Sequence, residues 1–354
     1  MAELIRIIIV HPSRTFRSSL EDALAEEPDI QITGSVRTCR NAMDIGRRRP
    51  PDLLVSDVGA EDCLSVLEGK DKFAAPMIVL AGRSPEHAIA TIKALEAGAF
   101  DFMLLPDHGG PDEAVASVRR QLSVKLRHFA SKRILAGMRE NLFKPAPLAP
   151  ACPAPESVGS GRLRAVAVGV STGGPKILAQ IMPALCNLTG LPIFIAQHMP
   201  PGFTTSLAQS LDAKCPGHSV IEADDGRTVE PGGIYIAPGG RHMLLERDAD
   251  HRPVIRISDH APEEGCRPSV NVLFRSAARV FGSRVAAVVL TGMGTDGAKG
   301  LADLKRVGGH VIAQDEATST VWGMPGAAVA SGLVDDVLPA AEIPSRIAKL
   351  MRQD

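Results

Sequence analysis

Short runs rich in β-branched residues alternate with helix-like segments through the first hundred or so residues. The pattern predicts five strands, at residues 5–10, 30–36, 53–57, 77–81 and 100–105. Strands that alternate with helices form a parallel, doubly wound sheet, and such sheets bind ligands at the carboxyl ends of their strands. The alternation therefore predicts an α/β fold and the edge of the sheet where functional residues should lie.

A segment rich in proline and alanine separates this region from a second one. Residues 144–161 read KPAPLAPACPAPESVGSG, which predicts a semi-rigid spacer that follows a helix from Pro111 to about Met138. The alternation then resumes, with predicted strands at residues 164–170, 192–197, 233–237, 254–257, 285–290 and 310–313. Because 354 residues exceed the usual size of one core, we predict three parts: a domain at 1–125, a helix and linker at 126–161 and a second domain at 162–354.

Composition and charge exclude several classes of protein. With 45% hydrophobic residues, 22% charged residues and a net charge of -1, the chain is typical of a folded protein and not of a disordered or polybasic one. The basic residues between positions 119 and 133 have only Phe129 as an aromatic neighbour, so no nucleic acid is expected. The six cysteines form no C-x-x-C pair, and no segment is typical of a signal peptide or membrane span. We expect a cytoplasmic protein without membrane insertion, metal or cofactor.

Ser171 comes directly after the first predicted strand of the second domain. The sequence VSTGGP places it in a turn that leads into a helix, and residues 169–173 match G-x-S-x-G. A serine at this position exposes its hydroxyl at the sheet edge, where the following amides, including that of Thr172, face a developing oxyanion. Glycine-rich turns also bind phosphate or simply pack, so this motif alone leaves those interpretations open.

His198 ends the next predicted strand, in the sequence IAQHMPPG. If the two strands are neighbours, its imidazole lies at the same edge as Ser171 and can act as the general base that a serine hydroxyl lacks. Other histidines are predicted to be structural or exposed: His218, His242, His251 and His260.

Asp296 follows a third predicted strand, in the sequence TGMGTDG. It suits the acid that orients a histidine, kept ionised by the N-terminus of the helix that follows it, although a structural helix cap is an alternative. Glycines at positions 292, 294 and 297 also spell G-x-G-x-x-G, and Asp315 lies near the spacing of a ribose-binding acid. We favour the first interpretation because Asp296 and a pyrophosphate would compete for the same amides.

Six segments within residues 163–350 resemble the successive blocks of the chemotaxis receptor methylesterases, the CheB family: VGVSTGGP, AQHMPPGFT, DDGRTVEPGGIYIAPGGRHM, CRPSVNVLF, LTGMGTDGAKG and IAQDEATSTVWGMP. The resemblance implies a Rossmann-like methylesterase domain with Ser171, His198 and Asp296 as catalytic triad and main-chain oxyanion donors at Thr172 and Met293. It implies hydrolysis of glutamyl methyl esters on chemoreceptors, with deamidation of receptor glutamines as in many members. Gly-Cys at 265–266 replaces a frequent Arg-His pair, which bears on substrate preference.

The resemblance also implies a receiver domain in front, and residues 1–125 resemble this flavodoxin-like fold in strand rhythm and in the sequence GAFD at 98–101. Most of its phosphorylation chemistry is replaced. Where a receiver has two acidic residues after the first strand, this chain has His11 and Pro12. Ala81 stands in place of the Ser or Thr that ends the fourth strand, and Leu105 in place of the lysine that ends the fifth. Asp57 alone keeps the phosphoacceptor position, and we expect it to be vestigial.

The sequence thus predicts a carboxylic ester hydrolase acting on methyl-accepting chemoreceptors, with a chemotaxis histidine kinase or another docking protein as further partner. Two alternatives stay open. One is a receiver-headed docking regulator without catalysis, which would have no need for three reactive residues at three strand ends. The other is an NAD-dependent oxidoreductase, which depends on the glycine pattern alone.

Overall fold

The computed structural model describes residues 4–69, 75–106, 110, 112–123, 125 and 162–352. Its contacts divide the chain into two compact units, Met1–Pro153 and Ala154–Asp354. The predicted linker lies outside the described residues, as does the predicted helix beyond residue 125, so the domain limits stay predictions. No helix in the described ranges is long and apolar enough to cross a membrane.

The first unit is a five-stranded parallel sheet with strand order β2-β1-β3-β4-β5. Its strands are Ile5–Val10 (β1), Ile30–Val36 (β2), Leu53–Asp57 (β3), Met77–Ala81 (β4) and Asp101–Leu104 (β5). Its helices are Arg14–Ala25 (α1), Cys39–Arg48 (α2), Cys63–Glu68 (α3), Pro85–Ala97 (α4) and residues 112–123 (α5). Hydroxyls of Ser13, Thr38 and Ser84 cap three of these helices. The five predicted strands and the doubly wound fold are confirmed.

One face of this sheet packs against α1 and α5. The core there includes Ile7 and Ile78 from the sheet, Leu20 from α1 and Leu122 from α5, each almost fully buried. Two of the basic residues noted in the sequence are neutralised locally: Arg119 pairs with Glu26 and Glu27, and Lys125 pairs with Asp101.

The second unit contains a seven-stranded parallel sheet with strand order β14-β13-β12-β6-β7-β9-β8, and a separate antiparallel pair, β10-β11. The strands are Ala165–Val170 (β6), Ile193–Gln197 (β7), Val220–Glu222 (β8), Ile234–Ile236 (β9), His242–Arg247 (β10), Pro253–Ser258 (β11), Val285–Val289 (β12), His310–Gln314 (β13) and Asp336–Leu338 (β14). The helices are Gly174–Thr189 (α6), Phe203–Asp212 (α7), Val270–Phe281 (α8), Gly300–Arg306 (α9), Met324–Ala330 (α10) and Ile343–Leu350 (α11).

The six strands predicted here exist, but the one predicted at 254–257 does not join the parallel sheet. It is β11, which pairs antiparallel with β10 in the two-stranded ribbon. Three strands were not predicted: β8, β10 and β14. Two of these span only three residues each at the edges of the sheet, too short for alternation to give a signal.

The strand order positions the functional edge. The chain leaves β6 toward β7 on one side of the sheet and later returns to β12 on the other side of β6. Such a reversal leaves a crevice beyond the carboxyl ends of the central strands, where doubly wound proteins bind their ligands. The segments after β6, β7 and β12 therefore meet at one place.

Candidate active site

Ser171 lies immediately after β6, in the tight turn that leads into α6. Its amide donates to the Thr291 carbonyl at 3.0 Å, which ties the turn to the segment after β12. Its carbonyl accepts from Gln197 Nε2 at 3.0 Å, which ties it to the end of β7. The serine is thus fixed between the two neighbouring strand ends, and its side chain is partly exposed.

His198 follows β7, and β7 is the direct neighbour of β6. Val170 and Gln197 are paired in the sheet, and the His198 amide donates to the Val170 carbonyl at 3.1 Å. The two strands are therefore neighbours, as predicted, and Ser171 and His198 lie at the same edge of the sheet.

The Asp296 carboxylate is almost fully buried, with 2% of the residue exposed. Its Oδ2 accepts from His198 Nε2 at 2.8 Å and from the Val270 amide at 2.7 Å. Its Oδ1 accepts from Ser269 Oγ at 2.9 Å and from the Asn271 amide at 3.0 Å. Asp296 and His198 thus form the acid–imidazole pair that the sequence predicts.

The helix that stabilises Asp296 is not the predicted one. We expected the helix following Asp296, but that helix, α9, begins only at Gly300. The amides that bind the carboxylate belong to the first turn of α8, whose N-cap is Ser269. The physical principle is as predicted, since a helix N-terminus favours an anion, but the prediction is wrong about which helix provides it.

Burial and hydrogen bonding shift the two pKa values in opposite directions. Burial opposes ionisation of Asp296, but the bonds from His198 and from the α8 amides outweigh it and hold the Asp296 pKa below its usual value. Burial likewise opposes protonation of His198, but its bond to Asp296 and the nearby Cys266 raise the His198 pKa to about 9. The pair is therefore an ionised carboxylate beside a basic imidazole.

The nitrogen of His198 that remains for catalysis is Nδ1, because Nε2 donates to Asp296. Within the described residues no hydrogen bond joins Nδ1 to the Ser171 hydroxyl, and the nearest partner of Nδ1 is Cys266 Sγ at 3.7 Å. Catalytic hydrogen bonds are often long without substrate and tighten only when it binds. Ser171 thus lies at the same sheet edge as the His198–Asp296 pair, and the hydrogen bond between the Ser171 hydroxyl and His198 Nδ1 is not formed.

The segments predicted to stabilise an oxyanion lie on either side of Ser171. A Cβ on Gly292 would come within 2.7 Å of the Ser171 Cβ, so this close approach requires glycine, and Met293 follows directly. The Met293 amide donates to no acceptor within the described part of the chain. The Thr172 carbonyl accepts from Thr291 Oγ1 at 3.0 Å, which ties the turn after Ser171 to the segment after β12. This arrangement is consistent with oxyanion donation by the two predicted amides.

Sequence reasoning missed Asn271, a buried residue in the first turn of α8. Its Oδ1 accepts from the amides of Gly297 at 3.0 Å and Gly300 at 2.8 Å, so it anchors the loop that follows Asp296. A polar residue at a core-facing helix position, in the segment PSVNVLF, is the signal that could have indicated it.

The glycine pattern that suggested a dinucleotide site serves other contacts. Gly292 packs against Ser171 and Met324, which leaves its segment no room to cradle a pyrophosphate. Asp315 accepts from the Thr318 amide at 3.0 Å and from the Thr318 hydroxyl, so its carboxylate caps its own turn. Nothing at this strand end favours a nucleotide over the acid–imidazole pair.

Asp57 ends β3 of the first unit and is bonded on both carboxylate oxygens. Oδ1 accepts from the Gly59 amide at 2.6 Å, and Oδ2 lies 3.0 Å from His11 Nε2. The Ser13 amide donates to His11 Nδ1 at 3.1 Å, so Nε2 carries the hydrogen that points at Asp57. The His11 imidazole thus lies in direct contact with the Asp57 carboxylate.

Known proteins resemble the chain in both its sequence and its fold. The family described as CheB methylesterase matches residues 166–347. A protein-glutamate methylesterase/protein-glutamine glutaminase of Desulfotalea psychrophila is 36% identical over 360 residues, which cover 98% of this chain and 99% of the relative. A protein of the same name from Pyrococcus horikoshii is 36% identical over 361 residues, which cover 99% of this chain and 94% of the relative. The crystal structure of the Thermotoga maritima CheB methylesterase catalytic domain is 42% identical with a TM-score of 0.51, covering 53% of this chain and 98% of that one.

Proposed function

Because this chain belongs to the CheB methylesterase family, we propose that Ser171, His198 and Asp296 are the catalytic triad with which it hydrolyses glutamyl methyl esters. Like its relatives, it is a protein-glutamate methylesterase, a carboxylic ester hydrolase. The observation that supports the triad is the hydrogen bond between His198 and the buried Asp296 carboxylate, beside Ser171 and where three neighbouring strands end. Release of methanol from a methylated chemoreceptor by the full-length protein is the direct test.

The geometry suggests how the ester is cleaved. His198 Nδ1 takes the Ser171 proton as Oγ attacks the ester carbonyl, and Asp296 stabilises the resulting imidazolium. The tetrahedral oxyanion accepts hydrogen bonds from the amides of Thr172 and Met293. His198 then protonates methoxide, methanol leaves, and a glutamyl ester of Ser171 remains. Water, activated by the same nitrogen, hydrolyses this ester to a free glutamate and restores the serine.

The same steps apply to a receptor glutamine, with ammonia leaving in place of methanol. Deamidation is therefore a second reaction that this site can perform, and the relatives bear both names. The substrates that we propose are methyl-accepting chemoreceptors, with neither nucleic acid nor membrane insertion involved. We place the reaction in the cytoplasm, where the five described free cysteines would stay reduced.

The first unit is proposed to act by docking, to a chemotaxis histidine kinase or another protein, without phosphoryl chemistry. Phosphorylation of a carboxylate requires a divalent cation, which prefers several oxygen ligands. Asp57 faces the His11 imidazole in place of an acidic pair. The buried Ala81 provides no hydroxyl for a phosphoryl oxygen, and Leu105 packs against the core and provides no charge.

Incubation of the full-length protein with magnesium and a small-molecule phosphodonor is therefore expected to leave its methylesterase rate unchanged. The measurement is methanol release before and after incubation, with Asp57→Ala treated in parallel. A large donor-dependent increase that disappears in Asp57→Ala would show that the receiver is functional and that our interpretation of His11, Ala81 and Leu105 is wrong.

The pH dependence of the reaction should reflect the raised pKa of His198. Only the neutral imidazole can accept the Ser171 proton, so kcat/KM is expected to rise with pH through neutrality, to reach half its maximum near pH 9 and to level off above that pH. Because Cys266 contributes to raising this pKa, Cys266→Ser should move the rising limb to lower pH. Cys152→Ser, which changes a thiol in the predicted linker, is the matched control. A wild-type plateau reached below pH 7, or a limb that Cys266→Ser does not move, would contradict the assignment.

A further inference from the structure

Cys266 is a partly exposed thiol that takes no part in the proposed mechanism, yet it lies against the catalytic histidine. Its Sγ is 3.7 Å from His198 Nδ1, the nitrogen that must accept the serine proton. The donor atoms of His198, Cys266 and Asp296 all lie within 4.8 Å of one another. Imidazole and thiolate are the ligands that zinc prefers in proteins.

We propose that Zn²⁺ binds between His198 Nδ1 and Cys266 Sγ and thereby inhibits the esterase. The site is a regulatory one, distinct from a catalytic cofactor site, and its inhibitory effect rests on the proposed function of His198. Binding replaces the thiol proton and, on the imidazolium form of His198, the Nδ1 proton as well: one S–H and one N–H bond are broken, one Zn–S and one Zn–N bond form, and both protons are released to solvent. Water molecules complete the coordination.

The distance between the two donor atoms matches this ion without rearrangement. Zinc–sulfur bonds of about 2.3 Å and zinc–nitrogen bonds of about 2.0 Å at a tetrahedral angle separate the two ligand atoms by about 3.5 Å. The observed separation between Sγ and Nδ1 is 3.7 Å. A zinc ion therefore fits between these atoms as they stand.

The hydrogen bond that would orient the histidine in such a site is already present. Histidines that bind metal usually donate their other ring N–H to a carboxylate, which fixes the tautomer and makes the free nitrogen a better ligand. His198 Nε2 donates to Asp296 at 2.8 Å, so in the neutral imidazole Nδ1 is the nitrogen with a free lone pair. The same pairing that prepares His198 as a general base thus prepares it as a zinc ligand.

The thiol is held in place by a tight turn. Glu263 and Cys266 exchange two backbone hydrogen bonds, of 3.1 and 2.9 Å, and the two residues between them have positive φ, 51° at Glu264 and 76° at Gly265. Positive φ at both central positions is typical of the type I′ turn, in which glycine suits the second. The acidic side chains of the turn are paired with Arg275 and Lys299.

Inhibition follows from the atom that the metal would occupy. A zinc ion on Nδ1 uses the lone pair that has to accept the Ser171 proton, so the serine cannot be activated while the ion is bound. Magnesium prefers oxygen ligands and should have no such effect. The spacing rules for zinc motifs do not indicate this site, because its two ligands are 68 residues apart in sequence.

The test uses the full-length, reduced, metal-free protein as wild type, Cys266→Ser, Cys152→Ser and Ser171→Ala. Co²⁺ serves as a spectroscopic substitute for zinc, read by the thiolate-to-cobalt absorption band in the near ultraviolet, and Zn²⁺ is added as competitor. We expect one Co²⁺ per chain with this band in all proteins except Cys266→Ser. Zinc affinity should fall at least about ten-fold in Cys266→Ser, since even the loss of a group that only hydrogen-bonds to a metal ligand costs that much.

Esterase rates are then measured against Zn²⁺ concentration, each relative to the same protein's zinc-free rate. Zinc should inhibit the wild type and Cys152→Ser, a chelator should restore activity, and Cys266→Ser should need at least about ten-fold more zinc. A wild type without the cobalt band, a band that persists in Cys266→Ser, or equal zinc sensitivity in both would overturn the proposal. An active Ser171→Ala that still shows the band would instead refute the proposed triad and leave the metal site standing.

Discussion

Replacing Ser171 by alanine is expected to lower the rate of methanol release by about a million-fold, the scale of loss seen when a triad serine is removed from a serine hydrolase. The substitution removes the only atom that forms the covalent intermediate. Neither His198 nor the predicted oxyanion amides can replace it, so the residual rate should come from binding and electrostatic stabilisation alone. The assay is methanol release from methylated receptor under single-turnover conditions.

The fold should survive this change, because the contacts that fix Ser171 are made by its backbone and not by its hydroxyl. Thermal unfolding of the variant should therefore match that of the wild type. Ser283→Ala is the matched control, since Ser283 lies at the amino end of β12, the opposite edge of the sheet, and should keep full activity. Substantial methylesterase activity in a correctly folded Ser171→Ala protein would refute the triad.

The position of the site could be predicted because it depends on local sequence. Each of Ser171, His198 and Asp296 follows a run of apolar residues long enough to be a buried strand. Parallel strands align their carboxyl ends, so that three residues far apart in sequence must converge if their strands are close in the sheet. Ser171 and His198 directly follow β6 and β7, and Asp296 lies seven residues after the end of β12.

The environment of the site could not be predicted in the same way, because it depends on contacts through space. The α8 amides that bind Asp296 come from residues 25 and 26 positions earlier in the chain. The helix that follows Asp296 in sequence does not provide these amides, because the Asp296 carboxylate faces the first turn of α8. The approach of Cys266 to His198 is of the same kind, and so is the pairing of β11 with β10 outside the main sheet.

The donors around Asp296 determine what happens when its charge is removed. The amides of Val270 and Asn271 and the Ser269 hydroxyl all point hydrogens at this carboxylate, as does His198 Nε2. An asparagine presents one acceptor oxygen and one NH2 group to these donors. Whichever way the side chain is turned, a donor faces a donor: the NH2 group meets either His198 Nε2 and the Val270 amide or, when flipped, the Asn271 amide.

Asp296→Asn is therefore expected to reduce kcat by about ten-thousand-fold with little change in KM, as when a serine protease loses the charge and tautomer control of its aspartate. It should also lower the free energy of unfolding by roughly 1–3 kcal/mol, because a buried donor is left unsatisfied. Asp303→Asn, which removes the same charge from a surface ion pair with Arg306 in α9, is the control and should change kcat and stability little. Steady-state kinetics and denaturant unfolding of both variants separate the two effects.

The opposite result would be that kcat stays near the wild-type value, that NADH binds with micromolar affinity, and that the substitution changes only this binding. Asp296 would then serve a nucleotide site. Its contact with the His198 imidazole would be structural, without a role in ester hydrolysis.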